Sequence, residues 1–303
     1  MASVTRDAVK SRPKLRVSKR DRLLGPVGMV VLYLILFAGA LATAFPFYWM
    51  VIASTHRSST LLVVPPPILP SHALSMNYEE LMSRLYLTSG ISIWGIMINS
   101  LIVSGSFTLL VLFFCSLGGY GFAKFRFPGR EVLFMLMLAT MMIPNVLGII
   151  PSFMLMRWFG WFDTWWPLII PGIANAFGFF WMRQYIEGSV PTDLMDSARI
   201  DGAHEFRIYW NIVLPIIKPA LGALAILTFL GKWNEYFWPL LILKNTALFT
   251  IPIGLASLRN LYGQEIGVQM LGATIAIVPM MIIFFLSARQ FMSGLTAGAV
   301  KGV

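Results

Sequence analysis

The sequence predicts an all-α integral membrane protein of six transmembrane helices, and three observations carry that prediction. First, 57% of its 303 residues are hydrophobic and only 12% charged, with a mean hydropathy of +0.75, above the roughly 45–50% apolar content of soluble domains. Second, the apolar residues fall into blocks long enough for the roughly 20 residues that carry a helix across a hydrocarbon core. Third, they lack the period-2 alternation of an outer-membrane barrel.

In chain order the predicted spans are 26–53, 98–123, 132–150, 166–185, 216–243 and 268–287. The first block runs well past the h-region of a cleavable signal and has no clear small-x-small cleavage site in a sensible place, so it reads as a retained span. A long external loop follows, in which "VVPPPILP" is a stiff segment leading into a short helix, "YEELMSRL", with Asn77 placed to cap it. The third and fourth spans carry prolines, in "MMIPNVLGIIP" and "LIIPGIANAF". Neighbouring helices can re-satisfy the carbonyls that proline frees. Residues 1–25 form a basic extension ahead of one transmembrane domain, 26–303.

Orientation follows from the basic residues, which are retained on the cytoplasmic side. With the N-terminus inside, 17 of the 23 Lys and Arg residues fall on the interior, against Arg57, Arg84, Arg157, Lys244 and Arg259 outside and Lys232 within a span. Both termini are then cytoplasmic. The net charge of +10 is concentrated in the first 22 residues; topology and anionic headgroups account for that run, and nucleic acid is not expected as a partner. Cys115 is the single cysteine, and His56, His72 and His204 have no ligand spacing. No "GxxxxGK[ST]" phosphate loop and no "GxSxG" elbow occurs, so any energy source lies on another chain.

The polar stretch 191–215, "PTDLMDSARIDGAHEFRIYWNIVLP", interrupts the second half of this apolar chain. Pro191 suits the first turn of a helix, Thr192 or Ser189 can cap it, and Asp193 and Asp196 sit in its early turns, where the dipole favours negative charge. Leu194 and Ala198 share a face. Gly202 is a natural left-handed terminator. A second short helix, 203–213, puts Phe206, Tyr209 and Trp210 on an amphipathic surface before Pro215 and Pro219 open the next span. Periodicity alone is equally satisfied by an amphipathic connector at the interface.

Beyond periodicity, "DSARIDGAHEFRIYWNIVLP" resembles the EAA loop of ABC-importer permeases. Nine residues separate Gly202 from Ile212, with Leu214 and Pro215 following, as that motif requires; Asp196-Ser197-Ala198 stands where the family has Glu-Ala-Ala. "FPFYWMVIAS", "NSLIVSGSFTLL", "GGYGFAKFRFPGR", "MMIPNVLGIIPSFML", "GKWNEYFWPLLIL" and "RQFMSGLTAGAVKG" are similar to the carbohydrate-type members, the binding-protein-dependent transport inner-membrane components typified by the maltose importer's six-span permease. The resemblance implies the type I importer permease fold, with a coupling helix between spans four and five that docks on an ATP-binding subunit. Asp196, Ser197, Ala198, Asp201, Gly202, Ala203, Ile212, Leu214 and Pro215 would then be the coupling residues. It also implies a second permease, two ATPase subunits that bind the ATP and Mg, and an extracytoplasmic solute-binding protein. This chain itself would bind no cofactor and catalyse no reaction. The setting would be the bacterial inner membrane and its lipid.

Within the fifth span, Lys232, Asn234, Glu235 and Tyr236 are candidates for lining the substrate path, since ionisable groups in a span mark function by default. Lys232 and Glu235 stand three apart and equally suit a simple pair. Trp233, Tyr236 and Trp238 suit stacking on sugar faces or packing on a partner helix. The Trp-rich loop "RWFGWFDTWWP" reads as an interfacial belt. On the resemblance, the loop 244–267 reaches toward the binding protein and the tail 294–303 toward the ATPases. An ion-coupled secondary transporter is the rival reading, but no internal repeat of the kind such proteins show is present; a membrane enzyme would need a catalytic constellation, and none is found.

Overall fold

The computed structural model describes residues 25–261 and 265–299; the basic extension and the last residues of the tail lie outside the described residues. All regular elements among the described residues are helical. In chain order they are α1 (Pro26–Ser54), α2 (Ser58–Leu61), α3 (Leu74–Ser89), α4 (Ile93–Lys124), α5 (Arg130–Thr140), α6 (Ile149–Trp158), α7 (Trp166–Ile169), α8 (Ala176–Ser189), α9 (Thr192–Ile200), α10 (Glu205–Ile208), α11 (Leu214–Ile216), α12 (Lys218–Trp233), α13 (Phe237–Ile242), α14 (Ile251–Leu261) and α15 (Ile266–Ala299).

Residues 1–49 and 50–303 form two units. In the first, most of α1 is a continuous apolar helix whose Val27, Tyr33, Phe37 and Phe45 are exposed along its length. Thr43 Oγ1 donates back to the Gly39 carbonyl at 2.8 Å.

In the second unit, prolines and caps decide where helices run on and where they stop. Helix α4 starts earlier than the sequence predicts because Ser92 caps it, accepting from the Gly95 N–H at 3.2 Å. Between α5 and α6 the chain turns by 89°, with Pro144 preceding the 3-10 turn Asn145–Gly148. The predicted span 166–185 is not one helix. After Pro171, Gly172 takes φ +86°, which turns the chain out of the helix, and Asn175 Oδ1 restarts it as α8 by accepting from Gly178 N at 2.8 Å. The predicted span 216–243 is likewise broken, bending by 78° between Ile216 and Lys218 and again between α12 and α13. Three described helices are long and apolar enough to cross a membrane, within α1, α4 and α15, or up to five if each bent pair is one span.

Asn77 does not cap α3. The helix begins at Leu74 after Ala73, with no side-chain cap. Asn77 is buried inside it and donates to the Ser54 and His56 carbonyls at 2.8 and 2.9 Å, satisfying carbonyls left where α1 ends.

Packing is tightest where α4 crosses α8. A Cβ on Gly119 would lie 2.6 Å from Met182 Cβ, and one on Gly178 would lie 2.5 Å from Cys115 Sγ. Small residues let the two backbones approach, as membrane helices need when lipid is as apolar as leucine. Around this crossing, Val111, Cys115, Met182, Ile186, Met195, Ile208, Tyr209 and Val213 form one buried cluster. A second joins Leu81, Leu85, Ile96, Trp233, Leu258 and Val268. Stretch 191–215 thus roots in the first cluster instead of floating beside the bundle.

Candidate functional site

The stretch 191–215 is built around a glycine turn. Helix α9 ends at Asp201, and Gly202 takes φ +80° with no atom within 4 Å of where its Cβ would lie. Only its dihedral demands glycine. The Ala203 N–H bonds the Ala198 carbonyl at 2.9 Å and the Gly202 N–H bonds the Arg199 carbonyl at 3.0 Å, the paired closure of a Schellman turn. Ala198 and Ala203 supply its apolar contact, both half-buried against the first cluster.

Side chains then lock the turn. Arg199 Nε donates to Glu205 Oε1 at 2.7 Å and Arg199 Nη1 to Asp196 Oδ1 at 2.6 Å. The first of these bonds, more than the second, holds the Arg199 guanidinium further in its charged form against the cost of desolvation. Glu205 Oε2 accepts from Tyr120 Oη at 2.7 Å, fastening the turn to the end of α4. Tyr209 Oη and Ser116 Oγ share a hydrogen bond of 2.7 Å, and Lys124 Nζ donates to the Val190 carbonyl at 2.6 Å. Met195 is completely buried and pins α9 from beneath.

Ser197 Oγ turns back on the Asp193 carbonyl at 2.9 Å, while Asp196, Ser197, Asp201, Gly202 and Pro215 are exposed and Ile212 and Leu214 half-buried. Neither Thr192 nor Ser189 caps α9; Pro191 holds the N-cap position without a side-chain bond. The second helix does not stop at 213. It starts at Glu205, where His204 Nδ1 accepts from Arg207 N at 3.2 Å, and continues through a π-helical turn, Tyr209–Val213, into α11. That widened turn precedes Pro215, which can offer no N–H to the ladder. Phe206 and Trp210 are exposed and stacked at 6.1 Å, but Tyr209 is buried.

A second polar group lies on α12. Lys232 Nζ is 2.7 Å from Glu235 Oε2 and 4.5 Å over the Phe107 ring, so the pair forms. The same two residues line a cleft of about 420 Å³ with Phe107, Asn175, Phe177 and Thr228. Asn234 and Tyr236 sit in the break after α12 and do not line it; Asn234 Nδ2 donates to the Leu230 carbonyl at 2.9 Å. Trp233 is buried and stacked on Phe229 at 5.4 Å, and Trp238 Nε1 donates to the Pro167 carbonyl at 3.0 Å. Both are packing residues. The start of loop 244–267 is tied down: Asp163 Oδ1 accepts from Lys244 N and Asn245 N at 2.7 and 2.8 Å, and Asn99 Nδ2 donates to the Ala247 and Phe249 carbonyls at 2.8 and 3.0 Å.

Residues 115–296 match the sequence profile of the binding-protein-dependent transport system inner membrane components. The chain belongs to that family. Among relatives of this inner-membrane component, the lactose transport system permease protein of Rhizobium radiobacter is 34% identical over 90% of this chain and 96% of its own length. The arabinooligosaccharides transport system permease protein of Bacillus subtilis is 43% identical over 67% of this chain and 72% of its own. Similar in structure, at 26% identity and a TM-score of 0.72 over 90% of this chain and 98% of the other, is a chain from a bacterial ABC transporter involved in the import of the acidic polysaccharide alginate.

The family match spans the glycine turn and, apart from Phe107, the residues that line the α12 cleft. Sequence reasoning about this inner-membrane component missed Tyr120, Arg199, Glu205 and Met195. Arg199 and Glu205 carried a readable signal, opposite charges flanking a terminator glycine. Tyr120 carried none, because 85 residues separate it from Glu205.

Proposed function

We propose that this chain is the permease subunit of an ATP-driven importer of a carbohydrate, an oligosaccharide or related sugar, in the bacterial inner membrane. In this reading it pairs with a second permease, docks on two ATPase subunits through 191–215, and receives its sugar from an extracytoplasmic binding protein. The supporting observation is the glycine turn itself: an exposed acidic surface, Asp193, Asp196 and Asp201, on a short helix held rigidly to the bundle. The relatives' sugars supply the substrate class, and ATP and Mg belong to the ATPase partners.

Both termini are assigned to the cytoplasm from the basic residues, with α7 and α8 together making a broken fourth crossing and six spans in all. ATP binding closes the ATPases and draws the coupling helices together; it shifts the permeases only because nucleotide favours one of two conformers. Lys232 and Glu235 already neutralise each other, which leaves no lone buried acid for ion coupling among the described residues.

The test is uptake of radiolabelled arabinotriose, lactose and maltotriose by vesicles holding the complete complex, with ATP depleted while the ion gradient is maintained. Uptake of one of these should stop. Uptake that continues on the gradient alone sinks the proposal.

A further inference from the structure

Of the three described helices long and apolar enough to cross a membrane, α4 alone runs without a proline: α1 contains Pro46 and α15 contains Pro279. Its two ends hold different parts of the molecule. At one end Tyr120 bonds Glu205, Ser116 bonds Tyr209 and Lys124 bonds the Val190 carbonyl. At the other, Asn99 bonds the carbonyls of Ala247 and Phe249, and the Ser100 hydroxyl accepts from Ile251 N at 2.7 Å. Tyr120 and Asn99 are 21 residues apart, which at 1.5 Å per residue is roughly 30 Å, the thickness of a hydrocarbon core.

We infer that α4 is a strut that carries the state of the coupling loop across the membrane to segment 244–251, with Tyr120 and Asn99 as its positioning residues. This rests on the coupling reading of 191–215. The coupling turn reaches α4 through a charge-assisted bond, Tyr120 to Glu205, of the stronger kind. Near its Tyr120 end α4 has little room to slide, because Gly119 and Cys115 are in close contact with Met182 and Gly178 of α8. Displacing the turn therefore shifts α4 as a body, and Asn99 passes that shift to the carbonyls of the outer segment. Losing the Tyr120 hydroxyl leaves Glu205 still bonded to Arg199, so the turn stays folded while its own side-chain bond to α4 is lost and the Ser116–Tyr209 and Lys124–Val190 bonds on either side of it remain.

The experiment uses the complete complex in nanodiscs, with a fluorophore on Ala247→Cys; Cys115 is buried and the unsubstituted chain controls for its labelling. The probe is ATP with EDTA, which allows binding without hydrolysis. With the native strut, ATP should shift the emission. Tyr120→Phe and Asn99→Ala should each remove the greater part of that shift, and the double variant should lose no more than either single one. Size-exclusion profiles check that each complex is assembled. Full shifts in both single variants, or losses that add in the double, overturn the strut. No shift in the native complex overturns the coupling reading as well.

Discussion

Gly202 meets no neighbour where a Cβ would stand, so its cost of replacement is set by φ +80° and not by space. Asparagine tolerates the left-handed region, whereas a β-branched residue there is strained by about 1–3 kcal/mol. Gly202→Val is therefore expected to abolish sugar uptake in vesicles while the subunits still co-purify, and Gly202→Asn to keep most of it. Normal uptake by the valine variant would remove the turn from the mechanism. At Arg199 the guanidinium serves Asp196 and Glu205 from one planar fork, which lysine cannot reproduce. With its side chain 35% exposed, each bond contributes no more than about 1 kcal/mol. Arg199→Lys should lower uptake per ATP hydrolysed with only a small change in melting temperature. For Lys232 and Glu235, removing one partner leaves a charge alone in an apolar wall, while removing both does not. Lys232→Met should melt earlier than Lys232→Met with Glu235→Leu, and uptake by the double variant decides whether the cleft also serves the path.

Helix boundaries were legible where a proline or a cap announced them and illegible where tertiary contacts chose. Pro144 and Pro171 do interrupt the bundle, yet the sequence could not say that the second break, with Gly172 and Asn175, would split a predicted span outright. Apolarity does not distinguish one helix from two. The insert was legible as helix, turn, helix because Gly202 stands between an acidic start and an aromatic run. Its deeper attachment was not, since Tyr120, Ser116 and Lys124 come from another helix, and Tyr209 looked like a surface residue. The crossing of α4 and α8 makes its own prediction. Gly119→Leu has to displace Met182 Cβ and the Arg183 backbone, overpacking that costs about 1–3 kcal/mol, so the variant is expected to express poorly and melt lower in detergent, where a wild-type melting curve would contradict the packing described.

For the molecule as a whole, composition was enough to place it in a membrane, and the motif spacing was enough to place it among the inner-membrane components of binding-protein-dependent transport. Which sugar it carries was not legible, because nothing in the spacing of Lys232 and Glu235 distinguishes one saccharide from another. The proposed function rests on one physical claim: that a glycine-closed elbow, tied by Arg199, Glu205 and Tyr120 to the helical bundle, passes the work of ATP hydrolysis from separate ATPase subunits into this chain. The most direct measurement is accumulation of labelled arabinotriose, lactose or maltotriose in vesicles holding both permeases and the loaded binding protein, with the ATPase subunits present or omitted. The account predicts uphill accumulation only when the ATPases and ATP are present; accumulation against the gradient without them would contradict it.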